Sequence, residues 1–246
     1  MRTRSAKSIV ACVSESLILV LLIAGASAAQ KKRVPPGGNL AVVADERLAA
    51  LRTAPSLSGR LMRRLGRGRI VSIRGSSRGR DGLLFFHVAV TRRTFGWIQS
   101  EALVASGRQG DDRRLAHLIS GADEFDRVAR ARIFLDTFPG SSLRPKVLLL
   151  LGDAAEEAAA KLSRESERRF ERREIPTDGA PEFSYFLNYN GLDRYNRQGV
   201  IFIFDKAKKQ FHYDGAAWRE IVRRYPNTSE AVEARKRVEA LHASNP

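Results

Sequence analysis

The chain has 246 residues, and its 43 lysines and arginines outnumber its 27 aspartates and glutamates, which gives a net charge of +16. Its one cysteine, Cys12, excludes an intrachain disulfide. Because Cys12 lies in a segment that we expect to be removed, thiol catalysis and cysteine metal sites are excluded from the mature protein as well.

Residues 1–28 have the pattern of a secretory signal peptide. A basic start at Met1–Lys7 precedes an apolar run at Leu17–Ala24, and the small residues Ala26–Ala28 provide a cleavage site. The alternative is a membrane anchor, but this run is shorter than the roughly 20 apolar residues that span a bilayer. We expect cleavage after Ala28, no transmembrane segment in the mature protein, and a periplasmic or secreted location.

Residues 29–39 are charged and rich in proline and glycine, which predicts a flexible linker. Residues 40–106 contain short apolar runs separated by glycine and arginine, which is typical of strands. Roughly five strands in about 65 residues favour a small closed β-barrel over an open sheet. The runs are Leu48–Ser56, Arg69–Arg74, Gly82–Val90, Thr94–Gln99 and Glu101–Val104.

Twelve residues in and between these runs follow a recognisable order: Arg52, Pro55, Ser56, Leu61, Leu65, Gly68, Val71, Ile73, Gly96, Trp97, Ile98 and Leu103. This order resembles that of a bacterial SH3-like (SH3b) domain. The resemblance implies a small barrel that binds a cell-wall component or a peptide. The family usually has a tryptophan in the strand before its closing Gly-Trp, whereas this chain has Phe85-Phe86-His87-Val88 there.

Positive charge is concentrated in the strand-rich part of the chain. Residues 29–110 have 16 Lys and Arg against 4 Asp and Glu, a net of +12, while residues 111–246 have 24 against 22, a net of +2. Such a surface would attract anionic partners, or it would simply keep the protein soluble. Ten arginines lie close together in sequence: Arg60, Arg63, Arg64, Arg67, Arg69, Arg74, Arg78, Arg80, Arg92 and Arg93.

The candidate ligand-binding residues lie in this part of the chain. Trp97 and Phe95 would provide stacking area, and Arg74, Arg92 and Arg93 would provide charge. The alternative for Trp97 is a core residue, which its size favours. No cofactor and no metal is expected.

Residues 111–246 have helical patterns. A helix with an apolar stripe from Phe125 to Phe138 ends at Pro139, and Ser141 or Ser142 would cap the next helix, which includes Val147–Leu162. The same arrangement returns 87 residues later. An apolar stripe from Trp218 to Tyr225 ends at Pro226, and Thr228 or Ser229 would cap the next helix. One face of that helix contains Ala231, Ala234, Val238 and Leu241.

These two copies resemble tetratricopeptide-type repeats. Hairpins of this kind stack on their neighbours, and the resemblance implies that the helical domain docks a protein partner. The alternative is an ordinary helical bundle. We therefore predict an α+β multidomain protein with a signal peptide (1–28), a linker (29–39), an SH3-like β-barrel (40–106) and a helical domain (111–246).

The region between the two copies is expected to contain three further features. Lys161–Glu174 has mixed charges typical of a long solvated helix. Ile175–Gly191 contains an aromatic cluster that we expect to plug the helical core. Residues 200–213 favour a β-hairpin, although Lys206–Gln210 would also suit a helix.

No catalytic motif is present. The sequence has no His-Glu-x-x-His segment, no Gly-x-Ser-x-Gly elbow and no phosphate loop, and Gly66–Gly68 and Gly75–Gly79 are predicted to be turns. His212–Asp214 is expected to be structural. We predict a non-enzymatic binding or adaptor protein of the cell envelope. The alternatives are a cell-wall hydrolase with an unrecognised site, or a binder of anionic lipid or nucleic acid, although export argues against nucleic acid in the organism.

Overall fold

The computed structural model describes residues 39–171 and 191–244. The predicted signal peptide, almost all of the linker and nearly the whole aromatic segment at residues 175–191 lie outside this part. The described residues belong to one compact unit.

The first part of the described chain is built from strands, in agreement with its short apolar runs separated by glycine and arginine. Seven strands form it: β1 (Asn39–Val43), β2 (Ala50–Arg52), β3 (Leu61–Arg64), β4 (Ile70–Arg78), β5 (Leu84–Thr91), β6 (Thr94–Gln99) and, after a 3-10 turn at Ser100–Ala102, β7 (Leu103–Val104).

The strands form one antiparallel sheet in the order β3-β2-β6-β5-β4-β1-β7. The mixed α and β composition is confirmed, but the predicted closed barrel is wrong. Among the described strands, β3 pairs only with β2 and β7 pairs only with β1. The physical reason lies at the two edges. β7 is buried and contacts a helix, whereas all four residues of β3 are exposed. Helical packing therefore covers the edge that barrel closure would have paired.

The hydrophobic core of the sheet includes Val43, Leu51, Val71, Val88 and Ile98, all with no exposed surface. Gly96 lets β2 and β6 approach closely, since a Cβ there would lie 2.8 Å from the carbonyl oxygen of Arg52 and from the Leu51 side chain.

The two glycine-rich segments behave differently. Gly66–Gly68 is part of the turn before β4, as predicted. The prediction of a turn at Gly75–Gly79 is wrong, because β4 continues to Arg78 and accommodates this stretch with an irregular register between Ile73 and Gly75. An extra residue in one strand of a pair bends that strand without ending it.

The second part of the chain is mainly helical. The helices are α1 (Asp111–Ser120), α2 (Glu124–Thr137), α3 (Arg144–Glu171), α4 (Gly191–Asn196), α5 (Ala216–Arg224) and α6 (Ser229–Ser244). The predicted helix pairs are present as α2–α3 and α5–α6, with Pro139 and Pro226 between their members. The helices predicted at Val147–Leu162 and from Lys161 onward are one continuous helix of 28 residues.

The predicted hairpin is confirmed by β8 (Phe202–Asp205) and β9 (Gln210–Tyr213), which pair antiparallel. Two side chains of α3 hold β9: Ser163 Oγ accepts from Phe211 N at 2.7 Å, and Glu156 Oε2 accepts from Tyr213 N at 2.8 Å. The helical core also contains Ala44 and Val104, so the sheet contributes directly to it.

Candidate ligand-binding face of the sheet

Three ring side chains lie side by side across β5 and β6. His87 is paired directly with Trp97, and Ala89 with Phe95. The ring centroid of His87 is 5.0 Å from that of Trp97, at an interplanar angle of 39°, and 6.4 Å from that of Phe95, at 28°. We refer to Phe95, His87 and Trp97 as the aromatic row. Its rings contact one another closely enough to form one apolar strip.

The period of the strands determines which way the row faces. Successive side chains of a strand point to opposite faces, and in β6 the intervening residues Gly96 and Ile98 are buried. Phe95 remains 39% exposed, while His87 and Trp97 are half-buried. Trp97 is therefore not sealed in the sheet core.

The predicted arginines lie around the row. Arg92 and Arg93 are exposed in the turn between β5 and β6, and Arg93 is two residues before Phe95 in the chain. Thr91 Oγ1 fixes this turn, since it accepts from Arg93 N at 3.3 Å and bonds to Thr94 Oγ1 at 3.0 Å. Arg74 is exposed and immediately precedes Gly75, the cross-strand partner of His87.

Two residues that the sequence analysis did not propose as ligand-binding belong to the same face. His87 connects the two predicted aromatics. Arg52 is paired with Trp97 from the opposite side, and its Nη1 donates to the carbonyl oxygen of Gly59 at 2.8 Å. The positions of His87 and Arg52 on this face follow from strand register. Alternation along β5 places His87 on the face away from Phe86 and Val88, and the pairing of β5 with β6 identifies Trp97 as its neighbour.

The arrangement has the chemistry of a binding surface. Aromatic rings offer flat apolar area to an apolar or sugar surface, and guanidinium groups bind carboxylate or phosphate through paired N–H donors. Within the row, His87 makes ring contacts with Phe95 and Trp97.

The segment His212–Asp214 contains a separate arrangement of polar groups. His212 Nδ1 lies 3.3 Å from Glu156 Oε1, and His212 Nε2 is buried without a hydrogen-bond partner within the described part of the chain. Burial raises the pKa of Tyr213 to about 12, and its hydroxyl accepts from Ala217 N at 2.8 Å. Asp214 instead accepts from Ala216 N at 3.0 Å, at the start of α5. These contacts attach the hairpin to α3 and α5.

Across residues 39–171 and 191–244, no group of three or more His, Cys, Asp or Glu side chains is arranged to hold a metal ion. None of the helices in these ranges is both long enough and apolar enough to cross a membrane. Comparison of the chain with family models, with curated proteins and with solved structures gives no match.

Proposed function

We propose that this chain is an exported, non-enzymatic binding protein of the bacterial cell envelope, whose sheet is an SH3-like module for an anionic cell-wall component. The observation that carries the proposal is the aromatic row with exposed arginines beside it. Sugar rings of a wall polymer would lie on Phe95 and Trp97, and carboxylates or phosphates of the same polymer would pair with Arg74, Arg92 and Arg93.

The helical part supports a second element of the proposal, a docking site for a protein partner on tetratricopeptide-like hairpins. Between α5 and α6 lies a groove of about 210 Å³. Val222 and Val238 give it an apolar floor. Three arginines and one glutamate line it, so that positive charge is in excess: Arg219, Arg223, Arg235 and Glu239. An apolar floor with a basic rim suits an amphipathic segment that carries acidic residues.

Co-sedimentation with purified peptidoglycan tests the wall-binding part. We expect the mature chain, residues 29–246, to be retained at low salt and released progressively as salt rises, because exposed charges are screened. Phe95→Ala and Trp97→Ala should each weaken retention about fivefold, since a stacked aromatic pair contributes about 0.5–1.5 kcal/mol.

Ile203→Ala is the matched control, because Ile203 is an apolar side chain 48% exposed in β8, outside the sheet that carries the row. Its retention should equal that of the unaltered chain. The wall-binding proposal is wrong if the unaltered chain is not retained at low salt, or if the control loses as much retention as the row variants. Lysis of the wall on a zymogram would overturn its non-enzymatic part.

A further inference from the structure

A depression of about 370 Å³ opens at the end of β3 and the turn that leads into β4. We refer to it as the arginine pocket. None of its lining residues belongs to the aromatic row. Eight residues line it, and four of them are arginines. The lining residues are Arg63, Arg64, Leu65, Gly66, Arg67, Gly68, Arg69 and Ile70.

One arginine is fixed as part of the pocket wall. Arg67 Nη1 and Nη2 donate to the two carboxylate oxygens of Asp126 at 2.8 and 3.1 Å, and Nη2 also donates to Glu46 Oε1 at 3.3 Å. The side chain of Arg67 is only 11% exposed. Two carboxylates from different elements thus neutralise Arg67 and hold it in one position.

The other three arginines are not neutralised in this way. Arg63 and Arg64 are exposed, and within the described ranges neither forms an ion pair. Arg69 Nη2 donates to the backbone carbonyl oxygen of Val90 at 3.2 Å, which orients its guanidinium without cancelling its charge. The pocket therefore has an excess of positive charge even after both carboxylates on Arg67 are counted.

The turn that lines the pocket contains two glycines, Gly66 and Gly68. Gly68 has a φ of 75°, a conformation that glycine adopts without strain. A Cβ built on Gly66 would meet no atom within 4 Å, so the wall is open at that position.

We propose that the arginine pocket binds a small polyanion that carries at least two phosphate or carboxylate groups. Several guanidinium groups on one concave surface favour a ligand whose charges are likewise spread over several groups. The volume lies within the usual range for small-molecule sites, about 300–1,000 Å³. A sheet edge is also protected from aggregation by exposed basic residues, but that role requires neither a concave surface nor the anchoring of Arg67.

Isothermal titration calorimetry of the mature chain at low salt, with inorganic pyrophosphate in one arm and citrate in the other, tests this inference. Saturable binding of either anion supports it, and the preferred anion tells whether the physiological ligand is a phosphate or a carboxylate compound. Absence of saturable binding in both arms overturns it.

Variants then locate the site. Arg63→Gln/Arg64→Gln should weaken binding about tenfold or more, because hydrogen bonds to charged groups contribute about 1.5–3 kcal/mol. Gly66→Val would fill the open wall and should weaken binding without removing any charge. The control Arg80→Gln/Arg113→Gln removes two exposed arginines outside the pocket and should change affinity less than about twofold.

The inference is independent of the proposed function. Phe95→Ala and Trp97→Ala should leave binding of pyrophosphate and citrate unchanged, whatever their effect on retention by the wall. If the control lowers affinity as much as Arg63→Gln/Arg64→Gln does, the binding reflects only the net charge of the surface and the pocket is not a site. Far-ultraviolet circular dichroism of each variant establishes that it is folded.

Discussion

Arg67, in the turn before β4, donates hydrogen bonds of 2.8 and 3.1 Å to both carboxylate oxygens of Asp126 in α2, although the two residues are 59 positions apart in the chain. The bond from Arg67 lowers the pKa of Asp126 even though burial acts to raise it. This two-point contact fixes the turn that lines the arginine pocket relative to the first helical hairpin, α2–α3.

Asp126→Asn should therefore destabilise the protein. Hydrogen bonds to charged groups contribute about 1.5–3 kcal/mol, and because the Asp126 side chain is 41% exposed, solvent screening reduces the expected loss to about 1–2 kcal/mol. Urea unfolding measures this loss. Asp136→Asn is the control, since the Arg132–Asp136 pair is about half exposed within one helix and should contribute less than about 0.5 kcal/mol. Equal losses in the two variants would show that the Arg67–Asp126 contact has no special role.

The same contact should make stability depend on pH on the acid side. The pKa of Asp126 is lower in the folded state than in the unfolded state, where it is about 3.9. The carboxylate therefore stabilises the fold at pH values above the unfolded pKa, and this stabilisation is lost as the pH falls through the folded pKa. The difference in unfolding free energy between the unaltered chain and Asp126→Asn should be constant from pH 5 to 7 and should shrink below about pH 4. Unfolding curves at each pH test this, and a difference that grows on acidification would contradict it.

The parts of the fold that depend on local chemistry could be predicted from the sequence. Pro139 and Pro226 end helical patterns, because proline does not continue a helix, and the helix pairs around them are present. In Thr94–Gln99 the structure places Ile98 in the core and leaves Trp97 half-buried on the other face, although the size of Trp97 favoured a core position.

The parts that depend on distant pairing could not be predicted. The number of strands alone does not tell which sheet edges pair. The prediction of a closed barrel was wrong because β7 packs against a helix. β3 was missed because its four residues are all exposed and show no alternation. The contact of His87 with Trp97 comes from strand register. The contact of Arg67 with Asp126 joins the turn before β4 to α2, 59 residues later in the chain.

Gly96→Ala should destabilise the sheet and disturb the aromatic row. The added Cβ would lie 2.8 Å from the carbonyl oxygen of Arg52 and from the Leu51 side chain, so β2 and β6 would have to separate. Overpacking of this kind typically costs about 1–3 kcal/mol, which thermal unfolding would detect as a lower Tm. Gly75→Ala is the control, because a Cβ on this β4 glycine meets no atom within 4 Å. Equal Tm values for Gly96→Ala and the unaltered chain would contradict the close approach of these strands.

Gly152→Ala tests the packing of α3 against α5. Alanine favours a helix interior over glycine by about 1 kcal/mol, so propensity alone predicts a more stable protein. Packing predicts the opposite, since the added Cβ would lie 2.7 Å from Cδ1 of Trp218, an indole that is 2% exposed. We expect the clash to dominate, with a net loss of about 1–2 kcal/mol in urea unfolding.

Trp218→Phe in the same chain should recover part of that loss, because a smaller ring leaves room for the methyl group. The two substitutions should therefore be less than additive in a double-mutant cycle, whereas full additivity would show that Gly152 and Trp218 are not in contact.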